Sequence, residues 1–582
     1  PSFDAIREEL LVRAKFARQG AAAKNVEKYV RTVNQVAFVY TIGFNAASAA
    51  VNLSQIPLFI YPYLGGKYGY KAVGTAIKEA SAIVTGSKIG TDTESRVGKA
   101  LDKVTLAFGI DAYYDIKDDV YTVRKDLELD AKLVKRLEVI APLVKAASAR
   151  GQLSRSYIMD ALGLEEGGRQ VRGNPVQRAL DVGTGISAMM FNQAERYNRQ
   201  VTLIATYTLA LDKVQKDKPN LSRNEQEALA AEEALYETQQ TNGGSVLETA
   251  PRIAQENLGR VASMYKTYGL QMYYTLLKTA RVALDTVARE KEFTAEERAV
   301  AWKQLAGIHG TAIFFAGIHG VPLYGAVQLI ADLIFDDEDD KFDDVARKYL
   351  GEGWYKGAFS AITGMDVANR VRLTGLLIQQ NRYNNDPSAE ETLGQVFGGP
   401  ALSVGKRFGR GISDLWTGEI QRGVESVLPA GIANMYKASP LGRYQQDGGI
   451  YTRRGDPIYD DLTGGELAAQ FFGIAPAEYT RNQEITQRDK RVEGAVTTRR
   501  SGILRKYYVA MRMGDLAGVQ EAKEEISKFN ARHPSARIDR DTVKRSMKSH
   551  KNTSAKMHNG VTISPLLKYA IEQSRLEYDY GY

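Results

Sequence analysis

From Gln304 to Ala331 the chain reads QLAGIHGTAIFFAGIHGVPLYGAVQLIA, twenty-eight residues without Asp, Glu, Lys or Arg, although those types make up 25% of the sequence. Few environments suit such a run. At about 1.5 Å per residue a helix of this length reaches across a hydrocarbon core of roughly 30 Å. A fully buried central hairpin of a large helical protein satisfies the same pattern. Ala306, Gly310, Gly317 and Gly320 recur at spacings of four, seven and three. That places small residues on one helix face and predicts close helix packing, in protein or in membrane. Pro322 is expected to kink or divide the segment. The following DLIFDDEDDKFDD crowds acids from Asp336 to Asp344 and reads as a water-facing stop.

A second run, Thr32 to Gly66, also lacks charged residues. Asn34, Thr41, Asn45, Ser48, Asn52 and Gln55 recur there mostly every three or four positions. A helix face bathed in water usually carries Lys and Glu; neutral amides and hydroxyls suit a half-buried seam between helices, or a face meeting lipid. Pro57 and Pro62 are expected to break this helix into an aromatic, Gly-rich turn, FIYPYLGGKYGY.

With 582 residues the chain exceeds a single core, and several subdomains are expected. A mean hydropathy of -0.32 argues against a polytopic membrane protein. The formal charge of +8 is compatible with nucleic acid or anionic lipid as partner without demanding either. Absence of cysteine excludes disulfides, thiolate zinc sites and a Cys nucleophile. The chain opens on Pro1 with no signal-peptide pattern, as expected of a processed chain or a piece of a longer one.

Helical periodicity dominates the rest. Phe3, Ile6, Leu10, Ala14 and Ala17 share one face, Ser222 with Glu225 and Ser388 with Glu391 form capping boxes, and Met264 opens the tyrosine-rich MYKTYGLQMYY. GTGISA, from Gly183, has the GxGxxA form, but the short ALDV before it does not supply the βαβ frame a dinucleotide site needs. Beyond Phe397 Gly and Pro become frequent and extended chain is expected. Basic residues then gather: Arg499, Arg500, Arg505 and Lys506, followed by Lys544, Arg545, Lys548 and Lys551. They form a candidate phosphate-facing patch; a solvated face is the competing reading. The terminal LEYDYGY is a candidate aromatic anchor.

Catalytic signatures are missing. The five histidines form neither HExxH nor a Cys/His pattern, and His309 and His319 stand ten apart. There is no phosphate loop and no GxSxG elbow. An EF-hand counted from Asp336 puts Lys341 and Arg347 where Gly and Glu belong.

Pro440, Leu441, Gly442, Arg443 and Tyr444 resemble the PLxRFG motif, which names a family of domains at the C-terminal ends of very large internal virion proteins of tailed bacteriophages. Tyr444 replaces the motif's Phe and Gln445 its Gly. GMDVANR from Gly364, VLPAGIANMYKA from Val427, DDLTGGELAAQFFGIAPAEY from Asp460 and ARHPSARIDRDTVKRSMKSHKN from Ala531 are similar in the same order, as is FNQAERYNRQ from Phe191. The resemblance spans Phe191 to Asn552 and carries no catalytic residue. It implies a role in a short-tailed phage (podovirus): packed in the virion as part of the core, ejected with the genome, and helping to form a conduit across the host envelope to the inner membrane. Implied partners are further copies of the chain in a ring or tube, other internal core proteins, the portal, phage DNA and the host cell membrane.

The expectation is therefore a mainly α, elongated, multi-subdomain helical protein with a Gly/Pro-rich extended C-terminal part. Its regions are 1–70, 71–300, 301–395, 396–480 and the basic 481–582. No catalytic residue, metal or cofactor is assigned. Ala306, Gly310, Gly317, Gly320, Asn45, Ser48 and Asn52 are the helix-packing or membrane candidates. Two other classes compete with the virion reading: an enzyme with a dispersed site, such as a nuclease or peptidoglycan hydrolase, and a membrane pore-forming effector.

Overall fold

The computed structural model describes residues 24–86, 109–127, 129–153, 175–243, 266–285, 292–322, 342–371, 389–452, 455–558 and 561–562, with isolated positions 7, 11 and 324. The protein is mainly α-helical. It divides into two compact bodies, one formed by 1–330 with 346–483 and the other by 331–345 with 484–582.

In the first body, helices α1 (Lys24–Thr41), α2 (Ala46–Leu53), α3 (Tyr61–Tyr68) and α4 (Tyr70–Gly86) precede a short hairpin of β1 (Tyr114–Lys117) and β2 (Val120–Val123). Helices α5 (Ala131–Ala149), α6 (Pro175–Asp217), α7 (Arg223–Asn242), α8 (Thr267–Leu284) and α9 (Ala295–Ala316) follow. The hairpin pairs Tyr114 with Val123 and Lys117 with Val120, and Asp118 and Asp119 both take positive φ in the two-residue turn, as a tight hairpin requires.

The centre of this body is α6. It packs against α1, α2, α4, α5 and α7, so every residue from Asn198 to Tyr207 is buried whichever way it points. Leu203, Ile204 and Tyr207 join Phe59, Ile60, Leu64, Val84, Leu143 and Ile308 in one core. Burying each large apolar side chain is worth about 1.5–3 kcal/mol before the entropy of ordering it. GTGISA lies inside α6, where no strand frames it, and a dinucleotide fold is excluded there.

The first charge-free run is helical but not straight. Gly43 and Phe44 lie in a turn between α1 and α2, and the two arms, Tyr29–Thr41 and Ala46–Tyr68, meet at 91°. Pro57 and Pro62 do not break the chain as expected. Ile56–Ile60 forms a single π-helical turn that runs straight into α3; Pro62 has no N–H for the Leu58 carbonyl, which accepts from Thr311 Oγ1 at 3.0 Å instead.

The second run also departs from expectation. Helix α9 stops at Gly317, not at Pro322, because Gly317 adopts φ +67 and its N–H closes on the Ile313 carbonyl at 2.9 Å. A 3-10 turn, Ile318–Gly320, follows. Of the acidic stop, Asp336 to Asp344, positions 336–341 fall outside the described residues and Asp343 and Asp344 begin a helix; most of the first amphipathic stretch, the Ser388 cap and the terminal LEYDYGY also fall outside them.

The first body continues, from position 346 of α10 (Phe342–Lys356), through α11 (Ala358–Thr363), α12 (Ala368–Val371), α13 (Ala389–Trp416), α14 (Ile420–Val427), α15 (Ala430–Ala438) and α16 (Arg443–Gln446). A minimal hairpin, β3 (Ile450–Tyr451) and β4 (Pro457–Tyr459), precedes α17 (Gly464–Phe471). The region 396–480, expected to be extended, is thus mostly helical: Gly398, Gly399, Pro400, Gly405, Gly409 and Gly411 lie inside α13, while Pro429 and Gly442 stand at the starts of α15 and α16. Helix α18 (Ala477–Met513) is followed in the second body by α19 (Leu516–Arg532) and α20 (Arg540–Lys556), with a last two-stranded hairpin of β5 (Met557–His558) and β6 (Val561–Thr562).

Candidate functional sites

Two sites stand out, one in each body. In the first body the site is the bend in the charge-free pair. Phe44 holds φ +56, a region a bulky residue rarely enters unless its surroundings enforce it. Here they do. The Phe44 N–H donates to the Ser187 carbonyl at 3.1 Å, and the Ala47 N–H donates to the Phe472 carbonyl at 3.0 Å. A methyl group at Gly431 would stand 2.3 Å from the Phe44 carbonyl oxygen, and one at Gly473 would stand 2.9 Å from Asn45 Oδ1. The bend is therefore clasped by Gly431 and Gly473, from two of the segments quoted above for their family resemblance.

Neutral groups stitch the arms down. Asn45 is buried and caps α2 by accepting from the Ala47 N–H at 3.1 Å. Asn52 is buried and accepts twice from Asn198 Nδ2, through its carbonyl oxygen at 2.6 Å and its Oδ1 at 3.1 Å. Ser48 is only half-buried. From α9, Gln304 Nε2 donates to the Tyr63 carbonyl at 3.0 Å and Thr311 Oγ1 to the Leu58 carbonyl at 3.0 Å. Each such bond nets about 0.5–1.5 kcal/mol, while leaving its buried atoms unpaired would cost more.

A charge cluster closes the end of this seam. Lys67, first residue after the charge-free run, pairs with both Glu233 and Glu237 of α7. Tyr68 Oη donates to Glu233 at 3.4 Å. Burial pushes the Glu237 carboxyl above its ordinary range and outweighs the attraction of Lys67; the negative charge of Glu233 adds to the rise. At Glu233 burial pushes the same way, but the hydrogen bond and charge of Lys67 outweigh it, leaving that carboxyl below its ordinary range.

The expected small-residue stripe is only partly used. Ala306 and Gly310 face outward and are exposed; the close approach runs through Gly307 and Gly66. A methyl at Gly307 would sit 2.5 Å from Tyr70 Oη, and one at Gly66 would sit 2.6 Å from the Gln304 backbone nitrogen. Gly317 abuts the Tyr355 carbonyl and Gly320 is buried. The four expected positions do not share one helix face: Ala306 and Gly310 lie on the outer side of α9, whereas Gly317 and Gly320 lie beyond its end. Among the described residues no single helix is long and apolar enough to cross a membrane; the bent pair Tyr29–Thr41 and Ala46–Tyr68 has the required length and composition as a broken span.

The PLGRY stretch is a structural clasp. Arg443 donates Nε to Glu425 Oε1 at 2.8 Å and Nη2 to Oε2 at 2.6 Å, a two-pronged pair with Glu425 buried. Tyr444 is buried with Ile450, Ala475 and Tyr479. Pro440 offers its carbonyl to Gln446 Nε2 at 3.2 Å. Leu441 points outward, 70% exposed, and Pro440 beside it is exposed too.

The second site lies in the second body. From Glu484 to Lys556 there are eighteen Lys and Arg against nine Asp and Glu, so this stretch accounts for the basic balance of the whole chain. Helices α18 and α19 form a hairpin through Gly514, at φ +72, with Asp515 capping α19. The core beneath is small: Ile503, Leu504, Phe529 and Ile538. A groove of about 500 Å³ opens over it, lined by Arg499, Gly502, Ile503, Lys506, Lys528, Phe529 and Arg532, with Glu525 and His533.

The predicted basic residues divide here. Arg499 and Lys506 reach the groove, and Lys506 also pairs with Glu525 at 2.6 Å. Arg500 turns away and donates to the Arg537 carbonyl and to Thr542 Oγ1, tying α18 to α20. Arg505 is exposed outside the groove, and Lys544, Arg545, Lys548 and Lys551 are exposed on α20. Sequence reasoning passed over Lys528 and Arg532 because Glu521, Glu524 and Glu525 dilute the charge around them; the signal was their i, i+4 spacing around Phe529.

Among the described residues no three His, Asp or Glu side chains are placed to hold a metal ion. No family model, curated protein or solved structure matches this chain.

Proposed function

We propose that this chain is a structural protein of the interior of a short-tailed bacteriophage particle, part of the core and, after ejection, of the conduit that carries the genome through the host envelope. The observation that carries this reading is the clasped bend. A chain segment with the composition of a broken membrane span is stored in a folded body, bent by 91°. Its seam is made of neutral amides rather than charges, and the family-like segments around Gly431 and Gly473 hold its strained turn. A protein that must be stable inside a particle and then meet lipid needs such an element. The basic second body suits contact with packaged DNA or the portal region, and further copies, other core proteins and the host membrane are its remaining partners.

Flotation with neutral-lipid vesicles tests the membrane step. Val33 and Ala50 are exposed in the folded chain, so Val33→Asp with Ala50→Asp leaves packing in place. At the centre of an inserted helix each charge costs about 2.5–3.5 kcal/mol on the insertion scale. The expected result is that the parent chain floats and the double variant, with unchanged circular dichroism, stays at the bottom. Equal flotation of the two, or none by either, overturns the membrane step. The virion step predicts the protein inside intact particles and its loss from emptied ones.

A further inference from the structure

We infer that the groove between α18 and α19 is a binding site for the phosphate backbone of duplex DNA, with Lys528 and Arg532 as its principal contacts. The inference rests on the reading that the basic body faces DNA, and it names where and how.

The two helices run antiparallel and turn matching stripes toward each other. On α18 the stripe is Arg499, Gly502, Ile503 and Lys506, and on α19 it is Glu525, Lys528, Phe529 and Arg532. Both follow i, i+3, i+4, i+7, which defines one helix face. The apolar members, Ile503 and Phe529, are 5% and 3% exposed and form the floor. The charged members stand on the rim, since long basic side chains lay their stems on apolar surface and keep their heads in water. Gly502 has open space where a side chain would stand, and so leaves the α18 wall low between Arg499 and Lys506. Glu525 is the one acid among the lining residues, and Lys506 already engages it.

A single anionic group would be served by one rim. The basic surface continues instead onto α20, where Lys544, Lys548 and Lys551 share a face and are exposed. Arg500 and the stacked Tyr508 and His550 rings, 4.9 Å apart, lock α20 against α18. Charges distributed over adjoining helices fit a linear polyanion, and contacts to its backbone are blind to sequence.

The test is fluorescence anisotropy with the full chain and labelled duplexes of two unrelated sequences, across a salt series. Lys528→Ala with Arg532→Ala is compared with Arg512→Ala with Lys523→Ala, an exposed pair of equal charge outside the groove. The expected result is that the groove pair weakens both duplexes about equally, by about tenfold or more, and lowers the slope of log affinity against log salt by about two, one for each phosphate contact. The outer pair changes affinity less than about threefold. Equal effects of the two pairs overturn the groove while leaving a DNA-facing body intact. Absence of salt-dependent binding by the parent chain overturns both, and so does binding by anionic vesicles alone.

Discussion

In the first body Lys67 meets Glu233 and Glu237 under cover of α3 and α7, whereas in the second Arg499, Lys528 and Arg532 stand along an open groove over Phe529. Both arrangements use cations beside apolar side chains, but their energetics differ. Glu237 has a side chain 3% exposed, and Lys67 offsets part of the cost that burial puts on its charge. The groove cations are exposed at the surface, and Lys506 beside them pairs with a half-buried Glu525. Buried polar groups thus fix the shape of the first body, whereas the basic groups of the second lie mostly at its surface.

The sharpest way to break this contrast is Lys67→Met. Removing one member of a buried pair leaves the other uncompensated, at a cost of about 3–5 kcal/mol. Urea unfolding of the first body should move by that amount, while hydrogen exchange in α19 stays unchanged. The loss should depend on pH in a stated direction. The Glu237 carboxyl is already raised in the folded chain, and without Lys67 it rises further. A raised carboxyl stabilises the fold below its unfolded value and loses that contribution as pH rises through the folded value. The deficit should therefore be largest near neutrality and shrink toward pH 5, and a deficit that grows on acidification would contradict this account. Adding Glu237→Leu should restore most of the loss, since an apolar pair of similar volume replaces the ionic one.

A smaller effect separates neighbours within the PLGRY clasp. A methyl at Gly442 would stand 2.0 Å from the Tyr436 carbonyl oxygen and 2.4 Å from that of Lys437. Gly442→Ala should cost about 1–3 kcal/mol through overpacking. Leu441→Ala, two-thirds or more in water, should stay within about 0.5 kcal/mol. Equal melting shifts for the two would mean that the motif is not the packed clasp described here.

What the chain revealed in advance follows from range. The capping box of Ser222 and Glu225 needs three residues of context, and it is present with both of its hydrogen bonds. Helical character likewise comes from a period of 3.6. The neutral stripe through Asn45 and Asn52 was visible as a pattern, yet its partner Asn198 lies 146 residues away, and nothing local names it. The same holds for Lys67, whose carboxylates are 166 and 170 residues distant. The stop at Gly317 was missed because Pro322 is the stronger local breaker. Gly317 wins because the Tyr355 carbonyl and Gly357 leave no room for a side chain or a continued turn there. Helix α6 is the largest omission: its buried centre mixes Asn198, Arg199, Gln200 and Thr202 with Leu203 and Ile204. That composition marks a surface helix by pattern, until five other helices surround it.

The gentlest probe concerns α20, where Lys544 and Lys548 test the exposed side of the comparison. Lys544 lies 3.9 Å from Asp541 with both side chains 78% exposed, a geometry in which an ion pair contributes little to stability. Lys548 is exposed on the same face. Lys544→Ala with Lys548→Ala should leave the melting of the second body nearly unchanged, because no buried group loses a partner. If these residues touch DNA phosphates, the same variant should nevertheless lower the salt slope of duplex binding by about one to two. Stability held while slope falls is the signature of a charge kept for a partner. A fall in stability with no change in slope would place these lysines with Lys67, as parts of the fold rather than of a contact surface.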